Sequence, residues 1–467
     1  MNNTNPSGNA PNGHLAPLVC AFFLAIFSYQ FNATMVAPAL GNMSASLGIS
    51  AAQASDTQTA FFTASALFSL FLPRLGDTIG RKRTAIGMLV CATAGSAMAA
   101  IAPNLPLLII GRILQGATGP MISVCLIMLR DRVEDVRTYA KLTALVTCAN
   151  GGIAGADALA GGWIAGHLGY RAVFWAIAVV GVAGIVMLAA FARDSKVERP
   201  TAMDWRGIAY LTCAVGILLM TVTTLRSGNA PIAPIAGALL LAVLLLAAFW
   251  KHEKKTPSPL VAPEFLIRRT TWSFLLTVFI AMTGIFAVMN GLAPAIAQDD
   301  TVGLGLSAGE STLATLVPYA LVGMVTALII GGVAARSGYL KVFRIGLAIT
   351  AVATVLGAGA VLHLTPEALA GFSALFGLGY VGMVNVSINA LGVELSLKNS
   401  PGTLPGLTAG TFNLASGISY LALYGVQGAA TASHGATSGY ACAMLAGAII
   451  TVCALGCSAI IGSKPRD

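Results

Sequence analysis

Arg112, Gln115, Gly116 and Gly119 recur three or four residues apart inside an apolar stretch. One helix face therefore carries a guanidinium, an amide and two positions without side chains. An arginine at membrane depth costs at least ~3 kcal/mol unless it is paired or meets water. Arg112 is then either a functional group or a side chain reaching back to the interface, since it stands only ~8 Å from the start of its run. A second apolar stretch places Asn150 and Asp157 two turns apart on one face, among the small residues Gly151, Gly155, Ala158 and Gly162, which let another helix approach closely. A third holds Gln30 and Asn32. By helical rise, Arg112, Asn32 and Asp157 lie ~8, ~9 and ~14 Å from the outer membrane edge, a spread that the arginine side chain can bridge. A carboxylate whose distance from a guanidinium changes with conformation gains and loses a proton, which is the chemistry of proton coupling. Held at a fixed distance, the same pair is a static bridge between two helices. Asp157 with Arg112 is the candidate coupling pair.

Further amides stand inside apolar runs. Gln30, Asn32, Gln58, Gln115, Asn150, Asn290, Asn385, Asn389 and Asn413 are the candidate substrate-binding residues, and each taken singly could instead join two helices by a hydrogen bond. Asn385 and Asn389 share a face at i,i+4. Eight cysteines lie inside apolar runs and five histidines are scattered, so neither a metal site nor a disulfide framework is indicated. Nor does a nucleophile with its base occur at membrane depth. The chain is not expected to be an enzyme and calls for no cofactor.

These residues need elements to position them, and composition says which. Of 467 residues, 57% are hydrophobic and 9% charged, far too apolar for a soluble fold. Fourteen runs are long enough to cross a ~30 Å hydrocarbon layer. They are 16–38, 57–75, 84–102, 107–129, 139–166, 172–192, 207–226, 232–250, 272–296, 309–335, 342–362, 368–393, 405–430 and 438–462. Each is continuously apolar rather than alternating, so helices are expected instead of barrel strands. Assigning loops to alternate sides puts all but three of the 26 Lys and Arg on one side; Arg171 and Arg226 face the other, and Arg112 lies inside a run. The cation-rich side is the cytoplasm, which places both termini inside a cytoplasmic membrane of bacterial type. The net charge of +9 therefore meets lipid headgroups, and no nucleic acid is implied. The polar N-terminus has no basic start or cleavage site, so the first run is expected to stay in the membrane. No loop exceeds about 25 residues, too short for the signalling domain of a membrane sensor.

One loop ties the runs into repeats. Pro73-Arg74-Leu75-Gly76-Asp77-Thr78-Ile79-Gly80-Arg81-Lys82-Arg83 is a basic hinge between the second and third runs, and 331–341 echoes its glycine and cation spacing after the tenth, with Ala335 in the aspartate slot. The loop resembles the one between helices 2 and 3 that marks the major facilitator superfamily, with Leu75, Asp77, Gly80, Arg81 and Lys82 in that family's slots. Arg112, Gln115 and Gly116 fit the family's helix 4 motif. Helix 5 resembles an antiporter motif in Gly161 and Gly162, while Asp157 and Ala158 depart from its Gly-Pro. Gln30 to Pro38, Thr59 to Phe61 and Gly406 to Asn413 resemble the fourteen-helix drug:proton antiporter branch, except that Asn32 replaces an aspartate.

The resemblance implies an all-α membrane protein of the major facilitator fold. Residues 1–192 would form one six-helix bundle, 193–271 an extra hairpin with charged linkers, and 272–467 a second bundle. It implies a monomeric secondary transporter, with proton-coupled efflux of small amphipathic or drug-like molecules as the leading expectation. The alternative is an importer or facilitator of a small organic metabolite. Gating falls to Asp77, Gly80, Arg81 and Arg130, with Asp77 expected to cap a helix or pair with a cation such as Arg130.

Overall fold

The computed structural model describes residues 15–133, 135–193, 203–226, 232–256, 259–260, 263–396 and 403–462. Every regular element among them is helical. The first half comprises α1 (Leu15–Gln30), α2 (Leu40–Leu47), α3 (Ala51–Ile79), α4 (Arg81–Ile101), α5 (Leu105–Gln115), α6 (Met121–Arg130), α7 (Val136–Leu168) and α8 (Tyr170–Phe191). A hairpin follows, α9 (Trp205–Arg226) and α10 (Ile232–Glu253), then the short α11 (Pro263–Ile267). The second half comprises α12 (Arg269–Ala287), α13 (Ala293–Gln298), α14 (Ala308–Ala314), α15 (Leu316–Ser337), α16 (Tyr339–Ala360), α17 (Pro366–Gly379), α18 (Val386–Glu394), α19 (Thr403–His434) and α20 (Ala436–Cys457).

Twelve spans among the described residues are long and apolar enough to cross a membrane. Two more of the expected runs fall in α7 and α19, 33 and 32 residues long. Large apolar side chains point outward on many of these helices, Val179, Leu240, Leu328 and Ile449 among them, each more than half exposed. Lipid is the solvent that suits such a surface.

Local chemistry sets the helix ends. Ser50 and Gln53 form a reciprocal cap that starts α3, and Ser307 and Glu310 do the same for α14. Asn104 accepts from the Leu107 N–H at 3.1 Å to begin α5. Gly80 ends α3 and starts α4 at φ 103°, and Gly338 ends α15 and starts α16 at φ 93°. A side chain at either position would be strained, so the repeat in the two basic loops is a repeat of backbone conformation.

Several membrane runs are broken midway. Phe31–Met35 between α1 and α2, Val288–Leu292 between α12 and α13, and Tyr380–Asn385 between α17 and α18 are single turns of π-helix. Between α5 and α6, Gly116–Thr118 tightens to a 3-10 turn. These wider and tighter turns release carbonyl groups from the regular ladder, and they recur at functional sites. The breaks after α1 and α12 are matched in detail. Asn32 donates to Ser28 O at 2.7 Å, and Asn290 donates to Phe286 O at 3.1 Å, each four residues back.

The two halves meet along α3 and α19. Phe62 inserts between Phe286 and Tyr420, its ring 5.0 Å edge-on to the first and 6.3 Å stacked on the second. Nearby, Thr59 Oγ1 donates to Gly417 O at 3.0 Å. At one end of the molecule α7 lies against α14, and a side chain on Gly162 would run into Thr312 and the Ala308 carbonyl. Gly161 lies as close to the Met35 carbonyl. The hairpin packs chiefly on itself and leaves most of α10 uncovered.

Candidate functional site

Arg112 is fully buried and lies at the hub of the first half. Its Nε donates to Thr57 O at 3.2 Å, Nη1 to Gln115 Oε1 at 2.6 Å, and Nη2 to Asn32 O at 3.1 Å and to the Gln58 amide oxygen. Nη1 is also 3.5 Å from Asn32 Oδ1. The guanidinium carbon lies 4.4 Å from the centre of the Phe61 ring. Gln115 passes the network on to Ser96 Oγ at 3.0 Å, and Gln58 donates to Ala33 O at 3.3 Å. Arg112 thus stays inside the protein instead of reaching back to the interface. Backbone carbonyls, amide oxygens and a ring face surround the cation, with no carboxylate partner among the described residues.

The expected pairing of Arg112 with Asp157 does not occur: the described residues contain no ion pair between them. Asp157, only 3% exposed, instead lies 2.5 Å from the Thr34 hydroxyl oxygen. Depth brought Asn32 to Arg112, but the rotation of α7 turns Asp157 to the far end of the same helix break. Its second oxygen, Oδ1, has no hydrogen-bond partner among the described residues. Gln30 Nε2 donates to Thr34 Oγ1 at 3.0 Å. Asn150 lies in the part of α7 whose side chains fall outside the described residues.

The amides of the second half spread over more of the structure. Asn413 receives a bond from the Tyr29 hydroxyl at 2.6 Å, a direct link between the halves, and the Tyr420 hydroxyl donates to Asn290 O at 2.8 Å. Asn389 is exposed and donates to its own helix at Asn385 O, 2.9 Å away, so the expected Asn385–Asn389 face makes only this local bond. Tyr29, Thr34, Phe61 and Tyr420 belong to this centre; Thr34 and Phe61 fall inside the motif segments Gln30 to Pro38 and Thr59 to Phe61, but the sequence assigns none of the four a role. Thr34 alone had a legible signal, its i,i+4 spacing from Gln30.

At the basic loop after α3, Asp77 meets Arg81 at 2.9 Å rather than Arg130. Arg81 also reaches Asp131 at 2.6 Å, and Asp131 directly follows Arg130, so the hinge is tied to the end of α6 one residue beyond the expected partner. Lys82 donates to Ala189 O at 2.7 Å and Arg74 to Leu260 O at 3.1 Å. The hinge thus binds α3, α4, α6, α8 and the linker after the hairpin at one level.

A model of the Major Facilitator Superfamily matches residues 22–421. The chain belongs to that superfamily. It is 44% identical over 445 residues to a uridine/deoxyuridine transporter of Lactococcus lactis subsp. cremoris, covering 94% of this chain and 93% of the relative. It is also 27% identical over 321 residues to the multidrug transporter protein MdtP of Bacillus subtilis, covering 68% of this chain and 57% of that protein. A POT family transporter crystallised with 5-aminolevulinic acid has the same fold, with a TM-score of 0.69 at 15% identity over 95% of this chain and 96% of that one. The superfamily expected from the basic loop stands, and the chain is a multi-pass membrane transporter. The leading expectation of drug efflux is not supported: a relative that matches along nearly the whole chain is a uridine/deoxyuridine transporter, which favours the metabolite alternative.

Proposed function

We propose that this protein carries a pyrimidine nucleoside, uridine or deoxyuridine, into the cell by alternating access, coupled to a proton at Asp157. The observation that carries this reading is the 44% identity over nearly the full length to the Lactococcus uridine/deoxyuridine transporter. The chemistry of the centre supports it. Uracil presents an acceptor–donor–acceptor edge that amide side chains complement, and its flat ring suits aromatic faces. Gln30, Asn32, Gln58, Asn290 and Asn413 supply amides around Tyr29, Phe61, Phe62 and Tyr420, and Asn32 replaces the carboxylate that a cationic drug would favour.

In this reading α7 and α19 also span the membrane, giving fourteen crossings. Both termini are cytoplasmic, and residues 1–192 and 272–467 rock against each other while the hairpin of 193–271 stays at the periphery. Asp77, Gly80, Arg81 and Arg130 form the inner gate. The protein works as a monomer.

Uptake of radiolabelled uridine into proteoliposomes, with the pH gradient imposed in each direction, tests the proposal. Saturable uptake that deoxyuridine inhibits and free ribose does not is the expected result. No uridine flux, with export of a cationic dye such as ethidium in its place, overturns it and returns the drug-exporter reading suggested by the partial match to MdtP.

A further inference from the structure

Thr34 Oγ1 has three polar neighbours within hydrogen-bond distance: Gln30 Nε2 at 3.0 Å, Gln30 O at 3.0 Å and Asp157 Oδ2 at 2.5 Å. The first is a donor and the other two are acceptors. A hydroxyl has one hydrogen and two lone pairs, so it cannot make full bonds to two acceptors. If Asp157 is protonated the account closes: its O–H and the Gln30 amide both donate to Thr34 Oγ1, and the Thr34 hydrogen goes to Gln30 O. If Asp157 is ionised, the Thr34 hydrogen turns to the carboxylate, because a bond to a charged acceptor is roughly twice as strong, and Gln30 O loses it. Asp157 Oδ1 points the same way: it has no side-chain donor among the described residues, so an ionised carboxylate there would rest on the backbone N–H groups of its own turn.

We propose that Asp157, Thr34 and the Gln30 carbonyl form a proton-binding switch in which Thr34 reports the protonation of α7 to the π-helical break of α1. The inference deepens the proton-coupling part of the reading above and rests on it. Gln30 is the last residue of α1, and the π-helical turn begins at Phe31, so the carbonyl that gains or loses the Thr34 hydrogen lies at the hinge of the run. Asn32, the next residue but one, is held by Arg112 through both its carbonyl and its side chain. A proton arriving on Asp157 therefore frees the Thr34 hydrogen for the hinge that sets Asn32, with no contact between Asp157 and Arg112. A proton from solvent binds Oδ2, one hydroxyl hydrogen reorients, and no covalent bond between heavier atoms changes.

Apart from the Tyr170 hydroxyl, which is buried and has no hydrogen-bond partner among the described residues, the other titratable groups on the surrounding elements are engaged elsewhere. Tyr29 of α1 donates to Asn413, and Arg171 at the start of α8 donates to Ala102 O. Tyr170 packs edge-on against Phe174, and Tyr319 of α15 stacks on Tyr380. Glu310 of α14 caps its own helix, and His167 near the end of α7 bonds Trp163 O. Asp157 thus has no charged neighbour within ion-pair distance among the described residues, and Thr34 is its contact with the hinge.

Infrared difference spectroscopy of the reconstituted protein, titrated with pH, reads this switch without requiring transport. Wild type is expected to show the C=O band of a protonated carboxyl that disappears on alkalinisation, and Asp157→Asn to lack it. Thr34→Val should move the band and displace its midpoint by about one pH unit, the effect of one hydrogen bond of ordinary strength, while Thr34→Ser restores both. In proteoliposomes Thr34→Val should lower pH-driven accumulation about tenfold, and Thr34→Ser should restore it. A Thr34→Val protein with the wild-type band and pH profile overturns the proposal. So does a band displaced by sodium at constant pH, which would make the bound ion sodium. A failure to carry uridine with the band behaving as described would instead refute the substrate reading and leave the switch standing.

Discussion

Replacing Arg112 with lysine keeps the charge and removes the fork. The guanidinium serves acceptors on three elements: Thr57 O and Gln58 on α3, Asn32 in the broken turn after α1, and Gln115 on α5. An ammonium has three hydrogens on one nitrogen and cannot reach all of these from a single point. At least two acceptors, all on buried residues, should be left unsatisfied, and each costs about 1–3 kcal/mol. Lost contact with the Phe61 face, 4.4 Å away, adds about 1 kcal/mol or more. Arg112→Lys is thus expected to destabilise the protein by about 3–7 kcal/mol at this centre. Reversible unfolding in mixed detergent–SDS micelles measures the change, and uridine uptake read beside it should fall because Asn32 loses its anchor. Gln115→Leu, which severs only the branch to Ser96, should cost less. An Arg112→Lys protein within about 1 kcal/mol of the parent and transporting normally would mean that the fork is not what holds the break in place.

Three further outcomes are expected. Asp77→Asn breaks a half-exposed pair, so stability should change by less than about 1 kcal/mol, whereas uridine uptake should fall at least about fivefold if the Asp77–Arg81–Asp131 cluster closes the inner gate; equal uptake at equal expression would make the loop a topology signal only. Gly162→Val should keep α7 from seating on Thr312 and the Ala308 carbonyl, which raises labelling of a Thr312→Cys probe by an impermeant thiol reagent and abolishes uptake, and unchanged labelling would count against an outer seal there. Burial pushes the Asp204 carboxyl up, but the Gly207 N–H and the His252 imidazole at 2.7 Å outweigh it and hold it below the ordinary carboxylate range. Its stabilisation of the hairpin is therefore present above about pH 4 and lost as pH falls through the lower folded-state value, so protease cutting of the hairpin should rise on acidification in wild type and be insensitive to pH in Asp204→Asn.

Hydropathy and cation placement exposed the helices because lipid imposes one demand on all of them, a continuous apolar surface. The basic hinge was legible for a related reason: Gly80 and Gly338 are dictated by a backbone conformation, and such requirements appear in sequence one residue at a time. The Arg112–Gln115 bond was legible too, since both partners lie on one helix three residues apart. Contacts between helices were a different matter. Rise per residue gives depth along the membrane normal but says nothing about rotation about the helix axis, so Asn32 and Asp157 looked equally able to meet Arg112. The rotation of α7 is fixed by Gly161 against the Met35 carbonyl and Gly162 against α14, contacts in which the informative side chains are missing ones. That rotation presents Asp157 to Thr34, a residue type common in membrane helices for local bonding, so its spacing from Gln30 did not mark it as the partner of Asp157. The breaks at Phe31–Met35 and Val288–Leu292 were hidden for the same reason, because a π-helical turn carries no fixed residue signature. Once seen, they give the halves a common logic: an asparagine in each break takes the carbonyl four residues back. In the first half the surrounding groups are a cation and a carboxylate; in the second the Asn290 carbonyl takes a neutral tyrosine hydroxyl. If the proposed switch acts through the first of these two like hinges, substitutions around Asn32 should change both coupling and uridine recognition, whereas those around Asn290 should change uridine recognition alone.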